Sequence, residues 1–139
     1  MPKDYINFKL TGERRTDFCE ASCSYMFDAQ SRAWSTKMLG LLGLDLDKLP
    51  SISPPLELLG AVTKPAAQVT GLRAGTPVAV GAGDFPMALL GSGVTYPGSG
   101  CDLTGTSTLI ALLKERPMFD PLISNVQGVI GVAKRCCLT

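Results

Sequence analysis

An α/β fold is predicted by two junctions in the second half of the chain and by the helix punctuation of the first half. Residues 77–80 form an apolar, β-prone run that empties into Gly81, Ala82, Gly83 and Asp84, with a helical stretch following at 87–90; the order is strand, glycine turn, helix. Residues 101–103 and 108–113 read as two strands joined tightly by Thr104, Gly105, Thr106 and Ser107. The run at 77–80 has the composition of a strand buried in a central sheet.

The elements of the first half follow from their start and stop residues. Residues 3–10 set Tyr5, Ile6, Phe8 and Leu10 among polar neighbours, and Gly12 stands where a helix would end. Asp17 is placed to cap a helical segment reaching Ser22, and Glu20, three positions on, completes the spacing of a capping box. A polar turn spans 28–32, after which Ser35 caps a helix over Thr36–Leu42 that Gly43 closes. Pro50, Pro54 and Pro55 mark an extended connector, because proline and the residue before it both resist helix. A strand is expected at 58–62 and a helix at 65–70, ended by Gly71. Residues 96–100 are a turn cluster, 115–121 a loop, and the tail from 133 onward shows no strong periodicity. A change of subdomain is expected in the glycine-rich stretch 91–100, where backbone constraint is lowest.

Composition narrows the class of function. The 139 residues are 45% hydrophobic and 18% charged, which suits one globular domain. Thirteen basic and twelve acidic residues leave a net charge of +1, too little to draw nucleic acid or an anionic membrane surface. Apolar runs such as 109–113 fall far short of the ~20 residues of a membrane helix, and the N-terminus has no apolar signal core. A small-molecule partner and a cytoplasmic setting are therefore expected. The five cysteines, at 19, 23, 101, 136 and 137, form no disulfide framework and are expected to be free thiols packed as small hydrophobes. Histidine is absent, which removes Ser-His and Cys-His catalysis and leaves a zinc site short of ligands; no metal-binding residue is expected.

Two turns are left as carriers of chemistry. Asp84 stands at the mouth of a strand ahead of a helix, where open α/β sheets bind ligands, and Gly81 and Gly83 admit a ligand close to the backbone. The plain alternative is that Asp84 caps the following helix. The spacing Gly81, Gly83, Pro86 lacks the third glycine of a dinucleotide fingerprint. The turn of Thr104, Gly105, Thr106 and Ser107 offers hydroxyls and consecutive N–H groups as a nest for phosphate oxygens, against the alternative of an ordinary hairpin.

The stretches PKDYINFKLTGERRTD, FCEAS, FDAQSRAWS, LGLDLDKLP, LLGAVTKPAAQVTGLRAGTPVAVGAGD and LTGTSTLI, in this order, resemble the FGGY carbohydrate kinases, the xylulokinase-like branch above all. The resemblance runs from Pro2 to about Asn125. It implies a fragment of an actin-like, ribonuclease H-like ATPase fold. Residues 1–93 would be the C-terminal part of the sugar-binding domain, and 94–139 the incomplete beginning of the nucleotide-binding domain. It also implies ATP with Mg²⁺ as the phosphoryl donor and a ketopentose or related polyol as acceptor, with homodimerisation of the full-length protein left open. Residue by residue, Asp84 matches the catalytic base, and Gly105 and Thr106, with Thr104 and Ser107 beside them, match the second phosphate loop. Phe85 falls where related kinases often place a polar residue that touches substrate. The family's first phosphate loop and its adenosine-binding stretch have no counterpart, and residues 126–139 do not follow the family pattern. The expectation is an internal, inactive piece of a kinase; a non-catalytic interaction module or a sugar-binding protein is the alternative.

Overall fold

Capping residues set the first half of the fold. The computed structural model describes residues 1–139 apart from 106, 107, 117, 119, 121, 130–135 and 139. Helix α1 (Pro2–Thr11) ends on Gly12 in the left-handed conformation, φ 83°, where the Gly12 N–H donates to the Phe8 carbonyl. A short strand β1 (Arg15–Asp17) leads into α2 (Phe18–Ser22), whose N-cap Asp17 accepts from the N–H groups of Cys19 and Glu20. The reciprocal half of the expected capping box is not made. Glu20 instead turns its carboxylate against Gly83, where the missing Cβ leaves room for it.

Strands β2 (Phe27–Asp28) and β3 (Ala33–Trp34) form a small antiparallel hairpin, its turn held by Asp28, which accepts from the Gln30 N–H and the Ser31 hydroxyl. The next helix, α3 (Thr36–Leu42), is capped by Ser35 and closed by Gly43, as the sequence indicates. The proline-flanked connector is extended, and part of it is β4 (Ser51–Ser53), which pairs parallel with β1. Strand β5 (Leu58–Ala61), helix α4 (Lys64–Thr70) and strand β6 (Pro77–Ala79) follow, with β5 and β6 antiparallel.

Two expectations are corrected here. Strand β6 is not a buried central strand: among the described residues it pairs with β5 alone, and Pro77 and Ala79 are exposed. Its apolar composition serves Val80, one residue beyond the strand and 0% exposed, while Pro77 lacks the N–H that a central ladder demands. The helix after the glycine turn, α5 (Asp84–Gly91), begins earlier than expected and has Gly83 as its N-cap, so Asp84 is its first residue and not its cap.

Beyond α5, β7 (Gly100–Thr104) and β8 (Thr108–Lys114) make the expected hairpin, in register from Gly100 opposite Leu112 to Thr104 opposite Thr108. The tail, which carries no periodic signal, contributes β10 (Cys136–Leu138), inserted between β8 and β9 (Asn125–Gln127) in a sheet of order β7-β8-β10-β9. A three-residue strand is placed by its neighbours' unpaired edges, and its own composition says little.

Helix α5 is the element that both apolar clusters share. Leu89 packs with Val94, Ala111 and Leu113, against which Phe85, Cys101 and Leu103 also lie, and this cluster fixes α5 to the β7–β8 hairpin. Leu90 and Ala82 join the other cluster, built on Phe18, Cys19 and Val129. Cys19 is buried as expected, whereas Cys23 is exposed. Because Leu89 is 2% exposed, Leu89→Ala should remove about 3 kcal/mol of unfolding free energy through lost burial and the cavity left behind. Urea unfolding measures this, and a loss below about 1 kcal/mol would mean that α5 is not seated on the hairpin.

Candidate active site

The turn that presents Asp84 is gripped from two sides. On the first, Lys3 and Asn7 reach from α1, four residues apart and so on one helix face. The Asn7 side-chain amide donates to the Val80 carbonyl at 2.8 Å and the Lys3 ammonium to the same oxygen at 3.2 Å. The Lys3 stem lies over Gly81, whose φ of +73° favours glycine. On the second side, the Glu20 carboxylate of α2 fills the space over Gly83. Asp84 then emerges exposed in the first turn of α5, where a negative side chain faces the helix's unpaired N–H groups. Its Oδ1 accepts from the Phe85 N–H at 2.7 Å, and the second oxygen has no hydrogen-bond partner among the described residues.

Beneath the turn lies a compact set of charges. Lys3 Nζ meets Asp4 Oδ1 at 2.6 Å and the fully buried Asp17 Oδ2 at 2.9 Å. Burial pulls the Lys3 pKa down, but its hydrogen bonds to Asp4 and Asp17 and their negative charges outweigh this and hold the ammonium above its ordinary 10.5. For Glu20, burial pushes the carboxyl above its ordinary 4.5, the negative charge of Asp17 adds to the push, and Lys3 opposes it. One Glu20 oxygen, Oε2, is buried without a hydrogen-bond partner. The Cys23 thiol, exposed at the surface yet partly desolvated by the protein around its sulfur, is raised first by that desolvation, then by the charges of Glu20 and Asp17 and more weakly by Asp84, with a Ser22 hydrogen bond opposing.

The second turn is described in part. Gly105 is exposed with open space where a Cβ would stand, and the Thr104 hydroxyl donates to Asp102 Oδ1 at 2.6 Å. Thr106 and Ser107 lie outside the described residues. Phe85 is half-buried against the α5–hairpin cluster, the same cluster that Leu103 joins just before the turn. The two turns are therefore connected through shared apolar packing, with no hydrogen bond from Asp84 to Thr104 or Gly105 among the described residues. Lys3, Asn7 and Glu20 were not singled out for the site from sequence. The i, i+4 spacing of Lys3 and Asn7 on one helix, and paired glycines needing something to fill the space they leave, were the signals present.

The model of the N-terminal domain of the FGGY family of carbohydrate kinases matches residues 1–91. The chain belongs to this family. The autoinducer-2 kinase of Klebsiella pneumoniae subsp. pneumoniae is 43% identical over 106 residues, which is 76% of this chain and 20% of that enzyme. The autoinducer-2 kinase of Yersinia enterocolitica is 38% identical over 121 residues, 87% of this chain and 23% of the enzyme. The solved xylulose kinase of Rhodospirillum rubrum superposes with a TM-score of 0.89 at 30% identity, over 97% of this chain and 27% of that one. This FGGY chain thus spans about a fifth of the length of the curated relatives it matches, and its fold is a portion of the actin-like ATPase fold of FGGY kinases. No helix among the described residues is long and apolar enough to cross a membrane.

The charges around the turn of this FGGY chain have a measurable consequence. A folded-state pKa raised above the unfolded value means that the Glu20 contribution to stability is fully present below pH 4.5 and is lost as pH rises through the folded value. Glu20→Gln removes this cost, so the variant should be the more stable protein at pH 7, with the difference fading below pH 4.5. Urea unfolding at both pH values reads it, and an equal difference at both would show that Glu20 titrates as an ordinary carboxylate.

Proposed function

We propose that the protein containing this chain transfers the γ-phosphate of MgATP to a hydroxyl of a ketopentose or related polyol, in the cytoplasm, with Asp84 as the general base. The acceptor hydroxyl donates its hydrogen to the Asp84 carboxylate. As the oxygen forms its bond to the γ-phosphorus, the bond to the β-phosphate oxygen breaks, ADP leaves, and the proton passes to the carboxylate. Little covalent chemistry is asked of the protein; rate comes from holding the hydroxyl in line with the phosphorus. Family membership supports this reading, and the observation that carries it is the exposed Asp84 carboxylate at the head of α5, on a turn held from both sides.

In this reading residues 1–93 belong to the sugar-binding domain and 94–139 begin the nucleotide-binding domain, with Thr104, Gly105, Thr106 and Ser107 facing the nucleotide phosphates. The α5–hairpin cluster spans that boundary. Phe85, its ring partly engaged in the cluster, would offer the sugar an apolar edge. Among the described residues no group of three or more acidic or thiol side chains is arranged to hold a metal ion. These residues do not make a Mg²⁺ seat by themselves, and the ion belongs to the nucleotide as MgATP.

Asp84→Asn in the full-length kinase should lower kcat by about 10²- to 10⁴-fold while the sugar KM moves little, since the amide keeps the shape and loses the base. Near-normal turnover in a steady-state assay would remove Asp84 from the role. The 139 residues alone should show no sugar-dependent ATP consumption, because stabilising the transferring phosphoryl group needs donors beyond one carboxylate and one hairpin turn. Turnover by the isolated chain in a coupled ADP assay would contradict this.

A further inference from the structure

Glu20 occupies a place that its own helix does not explain. At the third position of α2 it has the spacing of a capping-box partner, yet its carboxylate leaves α2 and lies against Gly83, the N-cap of α5. That contact is closer than any Cβ at position 83 would allow, and the obstacle is the Glu20 side chain alone: Gly83 has φ −63° and ψ 166°, extended backbone that alanine adopts without strain. A Cβ at position 83 would thus push aside the Glu20 carboxylate, the end of a side chain from another helix, without straining the backbone. The placement also costs something. Glu20 Oε2 is buried without a partner, and Asp17 and Asp4 repel the carboxylate while Lys3 and the N-terminal ammonium attract it.

We propose that Glu20 is a positioning residue for phosphoryl transfer: by filling the space over Gly83 it fixes the backbone that carries Asp84, opposite the grip of Lys3 and Asn7 on Val80. This rests on the reading of Asp84 as the base. Val80 is held at its carbonyl and Gly83 is buttressed at its Cα, so the segment 81–83 is pinned at both ends and Asp84 enters α5 from a defined origin. Displacing a reacting group by about 1 Å costs on the order of 100-fold in rate, so a prop of this kind acts on kcat.

The test is a mutant cycle in the full-length kinase, with kcat and sugar KM measured beside amide hydrogen exchange over residues 82–85. Glu20→Ala empties the space and Gly83→Ala forces the carboxylate out of it. Each alone should lower kcat by about 10-fold or more, leave KM within about threefold and speed exchange of these amides. Together they should compensate, because the methyl at position 83 takes up the vacated volume, and kcat should return to within about threefold of the unaltered enzyme. Glu20→Gln, which keeps the shape, should retain kcat within the same margin of about threefold. Single variants with normal kcat, or losses that multiply in the double variant, would overturn the proposal. A role confined to stability would alter the folded fraction without this pattern in kcat. Asp84→Asn measured alongside separates the two ideas. If it abolishes turnover while the Glu20 and Gly83 effects multiply, the positioning proposal fails alone; if it leaves turnover intact, the reading of Asp84 as the base fails with it.

Discussion

One ammonium group ties the candidate site together. Lys3 Nζ lies within hydrogen-bonding range of Asp4, of the fully buried Asp17 and of the Val80 carbonyl, so a single charge joins α1, the β1–α2 junction and the end of β6. A charge taken out of water is stable only when its partners are in place. Two carboxylates and a carbonyl meet that condition here, and hydrogen bonds and charge attraction together outweigh burial at Lys3. The geometry this demands is specific. Asp17 must be oriented by its capping bonds to Cys19 and Glu20, and Val80 must arrive at the exit of β6 with its carbonyl facing α1.

From that constraint the rest of the site follows in sequence. With Val80 located, the chain has three residues in which to turn into α5, and Gly81 takes the left-handed backbone beneath the Lys3 stem. Orienting Asp17 also orients α2 and thereby Glu20. Helix α5 is then fixed along its length by Leu89 and Phe85 on one cluster and Leu90 on the other. The outcome is an exposed carboxylate on a half-buried turn, 81–83, that is held between α1 and α2. The proposed role of Asp84 in phosphoryl transfer asks for this arrangement, since a base must reach solvent-borne substrate while its origin stays fixed.

Much of this was legible from residues alone where local chemistry decides. Gly12, Gly43 and Gly71 end helices in the left-handed conformation, and Asp17 and Ser35 cap the starts of others, so local backbone demands and side-chain caps set those boundaries. The hairpin around 104–108 was likewise readable from its turn residues. What failed depended on tertiary neighbours. The run at 77–80 looked like a central strand because its valines are apolar, but the depth of Val80 is set by α1 and not by flanking strands. The tail strand at 136–138 exists through pairing with β8 and β9, which no three-residue pattern announces. Asp84 follows the glycine turn as the first residue of α5, and the pairing of Glu20 with Gly83 spans elements far apart in sequence. Spacing within one helix pointed Glu20 at its own cap instead.

The most direct measurement is a crystal structure of the full-length kinase with a bound sugar and a non-hydrolysable ATP analogue. An Asp84 carboxylate oxygen about 3 Å from one sugar hydroxyl, with that hydroxyl facing the γ-phosphorus and Lys3 still on the Val80 carbonyl, is the expected arrangement. A sugar whose hydroxyls all lie beyond about 6 Å from Asp84, with another group hydrogen-bonded to the one facing the phosphorus, would contradict it.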